Sequence, residues 1–380
     1  MSDQFLHGIE FVGIDYGARV IETPRAGVIG LVGTAPAADN TRLPLNTPAM
    51  LNTALRSDVA AVGASGTLAK AINIYHRSGY TAFVVVVRVA EGVDAAATRA
   101  NIIEGIQLLK GAESITKVKP RINIAPWFSH ESAVANELAS VCDATRAISF
   151  VDAPDLADST YADAITYGQG FSNRRVNVCW PSVKVFDTTT KDYEDIPLSL
   201  VAAGLEAGTD YWKSSSNKVA PLVSGTSKPI HFELSQAATT ANLLNEKGIT
   251  TVVHQNGYRL WGARNASDDQ MWRYRNHVRL DDMVAEALIQ SHLWAVDRNI
   301  TKTYVDEVTE GVNNYLRYLA SPAVEAIAGG KCWADPEINT TDMMEAGRVF
   351  FDFDYGRFGV AEHITFRRLL NQSYVEEVFK

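Results

Sequence analysis

The chain has 380 residues, 46% of them hydrophobic, and a formal net charge of −9. This length and apolar content suffice for a large buried core divided over two or three domains, and the acidic balance argues against a general nucleic-acid binder, whose footprint is a basic excess. No apolar run approaches the roughly 20 residues of a membrane-spanning helix, and the first ten residues, with Asp3, His7 and Glu10, lack the basic and apolar segments of a signal peptide, so the expectation is a soluble chain that stays in the cytoplasm where it is made, without membrane insertion.

Residues 5–23, read as extended, are apolar on both faces, with Ile9 and Phe11 on one side and Val12, Ile14 and Tyr16 on the other. Such a strand needs cover on both sides, and Gly8, Gly13 and Gly17 suit a bent arm better than a rigid central strand. The arm is expected to pair with something, since an apolar terminus left free would be sticky.

From Val28 to about Ala207, short apolar runs alternate with amphipathic helices. Strands are predicted over 28–32, 82–89, 121–125, 147–151 and 176–180, and helices over 67–77, 94–110, 131–142 and 161–167. This alternation predicts a mostly parallel sheet wound on both faces. The continuous run Phe83-Val84-Val85-Val86-Val87 suits a central strand covered by helices on both sides. Residues 186–196, rich in Thr and Asp, predict an exposed hairpin or loop.

Residues 211–229 shift to Ser, Lys, Asn, Gly and Pro and predict a linker. Beyond it, Thr251, Val252 and Val253 face Tyr258, Leu260 and Trp261 across His254-Gln255-Asn256-Gly257, whose Asn-Gly pair is a strong tight-turn signal. Residues 272–280 alternate Trp272, Tyr274, Val278 and Leu280 with Arg273, Arg275, His277 and Arg279, the pattern of a half-buried strand with one cationic face. Asp281 and Asp282 then fit the start of a helix, and Thr303 with Asp306 resembles the capping box of a second. Pro322 and Gly329-Gly330 predict a loop, residues 349–355 a strand, and residues 364–370 a further extended segment. The last residues, 374–379, are apolar again.

Little in the chain points to catalysis. The glycines of Gly27-Val28-Ile29-Gly30-Leu31-Val32-Gly33 lie inside the apolar strand, and no Lys-Ser/Thr pair follows, so close packing explains them better than a phosphate loop. His76, His130 beside Glu131, His277 and His292 lack the partner spacing of a metal or catalytic site. Asp352 and Asp354 read as solvated edge residues, and Ser224-Gly225-Thr226-Ser227 as loop. Cys142, Cys179 and Cys332 are odd in number and widely spaced, which predicts buried thiols with no disulfide or zinc site. No cofactor is expected. The basic stripe of Arg273, Arg275, His277 and Arg279 stands out; it is either a solvated or internally paired face, or a cation row for an acidic partner.

The words Gly257-Tyr258-Arg259-Leu260-Trp261-Gly262 with Arg264, His292-Leu293-Trp294-Ala295-Val296-Asp297-Arg298 and Ile300-Thr301-Lys302-Thr303-Tyr304 closely resemble the tail sheath proteins of contractile phage tails and R-type pyocins. Tyr211-Trp212, Gly225-Thr226-Ser227, Val308-Thr309-Glu310-Gly311 and Phe5-Leu6-His7-Gly8 extend the resemblance nearly end to end. It implies a structural, non-enzymatic subunit, stacked in six-fold rings around an inner tube, that shortens to drive the tube through a cell envelope. It further implies partners: other copies of the chain, the tail tube protein, and baseplate and tail terminator proteins. The implied organisation is an N-terminal arm over 1–23, an outer α/β domain over 24–210, the linker over 211–229, an inner α+β domain over 230–361 and a C-terminal arm over 362–380. Strand exchange between subunits would then fall to Ile9, Phe11, Val12 and Ile14 at one end and to Tyr374, Val375, Val378 and Phe379 at the other. Arg273, Arg275, Arg279, Lys302 and Arg317 are the candidates to face the tube. The rival expectation is a cytoplasmic α/β enzyme using a nucleotide, which the missing phosphate loop disfavours.

Overall fold

The computed structural model describes residues 21–80, 83–188, 190–371 and Tyr374. In chain order its strands are β1 Ile29–Thr34, β2 Pro48–Asn52, β3 Phe83–Val89, β4 Ile122–Ile124, β5 Ile148–Asp152, β6 Val176–Cys179, β7 Val183–Asp187, β8 Asp192–Ile196, β9 Val223–Thr226, β10 Ile249–His254, β11 Tyr258–Trp261, β12 Ile327–Trp333 and β13 Asp352–Arg357. Eight of them form one sheet in the order β11-β10-β6-β5-β4-β1-β3-β2. The six inner strands are parallel, and β2 and β11 close the two edges antiparallel.

Helices cover both faces, as the continuous apolar strands require. Thr67–Ser78 and Leu198–Ala207 pack Ile72, Tyr75 and Leu200 against Leu31, Val84, Val86 and Phe150 on one side. Ala95–Gln107, Ser132–Thr145 and Tyr161–Gln169 pack Ile106, Leu138 and Ala164 against Val32, Val87 and Val178 on the other. The glycines of β1 are packing residues: a Cβ at Gly30 would collide with Asn123 Oδ1, and one at Gly33 would lie 2.5 Å from Thr67 Oγ1. β7, β8 and β9 make a small separate antiparallel sheet, which includes the expected hairpin over 186–196.

A second core lies beyond the sheet. One face of the helix Arg275–Ser291, with Leu280, Met283, Val284 and Ala287, meets Val312, Tyr315, Leu316 and Leu319 of the helix Lys302–Leu319 and Ile327 and Cys332 of β12. β12 pairs antiparallel with β13 to cap this layer.

Several expectations fail here for identifiable reasons. Residues 272–280 do not form a strand: the helix starts at Arg275, so Asp281 and Asp282 lie within it. Charges at every second position from 273 to 279 also include an i, i+4 pair, so the period-2 count could not separate strand from helix. The second helix is capped two residues earlier than Thr303, by Thr301, whose hydroxyl accepts from Tyr304 N at 3.1 Å. Gly329 and Gly330 belong to β12 rather than to a loop. The stretch 211–229 contains β9 and buries Ser215 and Ala220, and β10 and β11 complete the large sheet, so that sheet continues past residue 229. The helix Leu198–Ala207, buried all round, has no polar face to betray a period. Residues 364–370 carry no strand.

Both edges of the large sheet are partly occupied. Along β11, Asn217 and Lys218 bond to both backbone groups of Leu260, with N–H to O distances of 2.6 and 3.0 Å, and Ala220 N donates to Tyr258 O at 2.8 Å. Along β2, Arg42 Nη2 donates to Met50 O at 3.1 Å, and Asn52 N donates to Asp58 Oδ2 at 2.8 Å.

Candidate subunit-contact surfaces and the charged helix between them

The face of Arg275–Ser291 that turns away from the second core is polar. Arg275, Arg279, Asp282 and Glu286, spaced by four, three and four residues, form one buried stripe across the amino ends of β4, β5 and β6. Glu206, 0% exposed and near the end of Leu198–Ala207, takes Arg275 Nε at 3.0 Å on one oxygen and Arg279 Nη1 at 2.7 Å on the other. Ser215 Oγ donates to the same carboxylate and accepts from Arg275 Nη2 at 3.1 Å. Arg275 also donates to Gly262 O at 3.0 Å, and its guanidinium lies over the Phe150 ring at 5.0 Å. Asp282 is held bidentately by Arg175, at 2.5 and 2.9 Å. Glu286 gathers Arg121 at 3.0 Å and Lys119 at 3.3 Å.

Burial alone would push the Glu206 carboxyl up, but the guanidiniums of Arg275 and Arg279 outweigh it and hold the group below the ordinary carboxylate range. Glu286 follows the same pattern, with Arg121 and Lys119 prevailing over burial. At Asp282 burial wins over Arg175, and the carboxyl is raised. One helix thus presents an apolar face to the second core and an ionic face to the large sheet, which ties the two parts of the chain together.

The sequence candidates scatter against this frame. Arg275 and Arg279 are internal, 2% and 4% exposed, and present nothing to a partner in this structure. Arg273 is half-buried, whereas Lys302 and Arg317 are exposed, Arg317 pairing with Glu310 at 2.5 Å. In the hairpin, Thr251, Val252, Val253 and Leu260 are core residues, and Tyr258 and Trp261 are partly buried against His254 and Phe232. The turn itself matches the Asn-Gly signal, with positive φ at both Asn256 and Gly257. Ile9, Phe11, Val12 and Ile14 lie outside the described residues, as do Val375, Val378 and Phe379; Tyr374 is described and exposed.

Sequence reasoning missed Glu206. Its signal was present: a single carboxylate in Leu-Ser-Leu-Val-Ala-Ala-Gly-Leu-Glu-Ala, an otherwise apolar helix, must find buried cations.

Two surfaces are open to contact. An apolar groove of about 380 Å³ runs between the helices Arg275–Ser291 and Lys302–Leu319 and the β12–β13 hairpin, lined among others by Leu288, Val308, Val312, Cys332, Phe351 and Phe353. The segment after β13 exposes Phe358, Ile364, Phe366, Leu369 and Leu370, Phe366 being 92% exposed. At the other end of the described chain, Ile21 packs against the second core and Thr23 Oγ1 hydrogen-bonds with Tyr315 Oη at 2.8 Å.

The carboxyl ends of the sheet strands, where doubly wound folds bind ligands, are filled from within. Asp152, at the end of β5, accepts from Ser199 Oγ at 2.5 Å, Ser199 N at 2.8 Å and Ser129 Oγ at 2.9 Å, and burial raises its carboxyl against the lowering effect of these donors. Its acceptors thus fasten the start of the helix Leu198–Ala207. Burial pushes the Cys142 thiol up to about 12, so it stays protonated and inert. Among the described residues, no group of three or more His, Cys, Asp or Glu side chains is placed to hold a metal, and no helix is long and apolar enough to cross a membrane.

Comparison with known proteins covers nearly the whole chain. Residues 101–266 match the phage tail sheath protein central domain, and residues 267–369 the phage tail sheath C-terminal domain. A prophage major tail sheath protein from Pseudomonas aeruginosa (strain UCBPP-PA14) is 34% identical, with 98% of each chain covered. The tail sheath protein of Escherichia phage P2 is 33% identical, over 99% of this chain and 98% of its own. Among solved structures, the anti-feeding prophage helical sheath in its contracted state superimposes with a TM-score of 0.68 at 18% identity, covering 97% of this chain and 100% of that one; this likeness is one of fold.

Proposed function

Since the chain belongs to the phage tail sheath family and is a structural subunit of a contractile sheath, we propose that its copies stack as six-fold rings around an inner tube and shorten to drive that tube through a target envelope. The observation that carries this reading is the end-to-end match to curated tail sheath proteins, because a fold likeness alone would leave the activity open. The particle is a phage tail or a tail-like relative of one, assembled in the host cytoplasm. The sheath bears on a baseplate at one end and a terminator at the other, and the subunit itself catalyses nothing. An enzyme reading has no support from the site at the carboxyl ends of the strands, where Asp152 is committed to Ser129 and Ser199.

The second core, with the chain start packed on it, is the inner layer in this reading, and the large sheet the outer one. The terminal arms join neighbouring copies, with Ile9, Phe11, Val12 and Ile14 contributed by one end and Tyr374, Val375, Val378 and Phe379 by the other. Strand addition to the β12–β13 pair would hold neighbours through backbone hydrogen bonds while they rotate. The exposed apolar side chains of Ile364, Phe366, Leu369 and Leu370 support this, as a single folded copy leaves them uncovered. Arg273, Lys302 and Arg317 are the cations that can reach the tube; Lys302 sits in the first turn of its helix, where the helix dipole disfavours a cation, so helix stability does not explain it. Energy for shortening is stored at assembly in a metastable lattice.

Electron microscopy of the purified chain tests the reading: striated tubes are expected, and discrete globular particles at every concentration would overturn it. Sheaths that shorten only when given a nucleoside triphosphate would refute the stored-energy account.

A further inference from the structure

From the end of β13 toward the exposed tail, Arg357, Phe358 and Glu362 are pinned to the body of their own subunit. The Arg357 guanidinium lies 4.6 Å over the Trp272 ring, whose other cation is Arg174 at 4.4 Å, and it donates to Met271 O at 3.2 Å. His277 Nε2 meets Phe358 O at 2.9 Å. The last pin is Glu362. Its two oxygens take Arg264 Nε at 3.0 and 3.1 Å, Arg264 Nη2 at 2.6 Å and Tyr274 Oη at 3.0 Å. Arg264 lies three residues past the end of β11 and is itself fixed by backbone pairing with Tyr274, the residue that precedes the helix Arg275–Ser291. Beyond Glu362, the side chains of Ile364, Phe366, Leu369 and Leu370 stand in solvent.

A surface salt bridge is ordinarily worth little, but this one is partly shielded, bidentate and shared with a tyrosine, the geometry in which charge-assisted bonds are strong. Among the described residues, none after Tyr355 joins a hydrophobic core. A carboxylate held this firmly at the root of an otherwise uncovered tail needs another explanation.

We propose that Arg264 and Tyr274 form a latch for Glu362 that fixes where, and in which direction, the C-terminal arm leaves the subunit, so that residues 364–370 are presented to one particular neighbour. This rests on the reading that the arm bonds a second copy. These three are positioning residues: they orient the arm and do not form the contact with the neighbour. With the latch open, the arm pivots at Arg357 and searches a wider volume, and the probability of meeting the correct neighbour falls.

The test uses the full-length chain and its self-assembly, followed by light scattering and electron microscopy. Glu362→Gln is expected to keep the melting temperature of the wild type, to speed hydrogen exchange over residues 358–363 by about tenfold and to slow assembly by a similar factor. The charge swap Arg264→Glu with Glu362→Arg should recover assembly, which a merely destabilised tail would not. Tyr274→Phe, which removes one bond and no charge, should give a smaller effect of the same sign. Unchanged exchange in Glu362→Gln would overturn the latch, and faster exchange with normal assembly would overturn its positioning role. Deleting residues 364–380 separates the two readings: normal sheaths from that chain would sink the arm contact itself, whatever the latch variants do.

Discussion

Replacing Glu206 by glutamine tests the charged helix most directly. The side chain keeps its size, yet it offers one carbonyl oxygen where Arg275 and Arg279 each use a carboxylate oxygen, and it turns an NH2 donor toward a guanidinium. At an effective dielectric of about 20, each contact near 3 Å is worth roughly 5 kcal/mol before desolvation. The net loss is smaller, because Glu206 was itself costly to bury, but two guanidiniums of 2% and 4% exposure are left without an anion. Breaking such a buried cluster costs about 3–5 kcal/mol, a large share of the roughly 5–15 kcal/mol that holds a domain folded. Urea unfolding of the unassembled chain reads it out: with a slope of about 3 kcal/mol per molar, the midpoint should fall by more than about 1 M. The same variant carrying Arg275→Met and Arg279→Met should regain most of that loss, because no charge then remains buried. A shift worth less than about 1 kcal/mol, or losses that simply add when the substitutions are combined, would refute the account.

The remaining expectations concern acid, backbone, arm and tube. Glu206 and Glu286 are held below the ordinary glutamate value of 4.5, so the stability they contribute is fully present above that value and is lost as the pH falls through their depressed values. Glu206→Gln should therefore show a shallower loss of stability between about pH 5 and pH 3 than the wild type, and an equally steep acid limb would contradict the assignment. Gly262 has φ +135° and would bring a Cβ to 2.5 Å from Asn245 Oδ1 and 3.0 Å from Thr250 Cα, so Gly262→Ala should cost about 1–3 kcal/mol in thermal unfolding, and a neutral result would mean that the turn relaxes freely. Deleting residues 1–23 should leave a folded chain by circular dichroism that forms no sheaths. Lys302→Glu with Arg317→Glu should weaken co-sedimentation with tube at least tenfold, by about 1.4 kcal/mol or more, and unchanged binding would remove both residues from the tube face.

The parallel sheet was legible in the sequence because its strands and helices differ in the two signals that sequence carries well, run length and period. Run length marks the strand at residues 83–89 and its cover on both faces, though it lies one place in from the sheet edge and not at the centre, and a helical period over 67–77 marks the covering helix Thr67–Ser78. The charged helix was misread because Arg273, Arg275, His277 and Arg279 satisfy a two-residue period while Arg275, Arg279, Asp282 and Glu286 satisfy a helical one, and only the longer window separates them. The helix around Glu206 carried no period at all, since both of its faces are buried. The hairpin at Asn256-Gly257 was found through its turn chemistry, but its membership in the large sheet depends on pairing between β10 and β6, some 70 residues apart in the chain, which local pattern does not encode.

The partly occupied edges of the eight-stranded sheet bear on how copies of this chain meet. A long parallel sheet with a bare rim would be a template for indiscriminate edge-to-edge stacking, which would compete with an ordered lattice. Here the backbone of residues 217–220 and the side chains of Arg42 and Asp58 occupy those rims. The two-stranded β12–β13 pair, beside the apolar groove, has no third strand in the described chain. In the proposed arm exchange, backbone-mediated recruitment would thus be steered away from the larger surface and toward a small one, which would restrict each copy to few docking registers and make a regular helical array compatible with an aggregation-prone architecture.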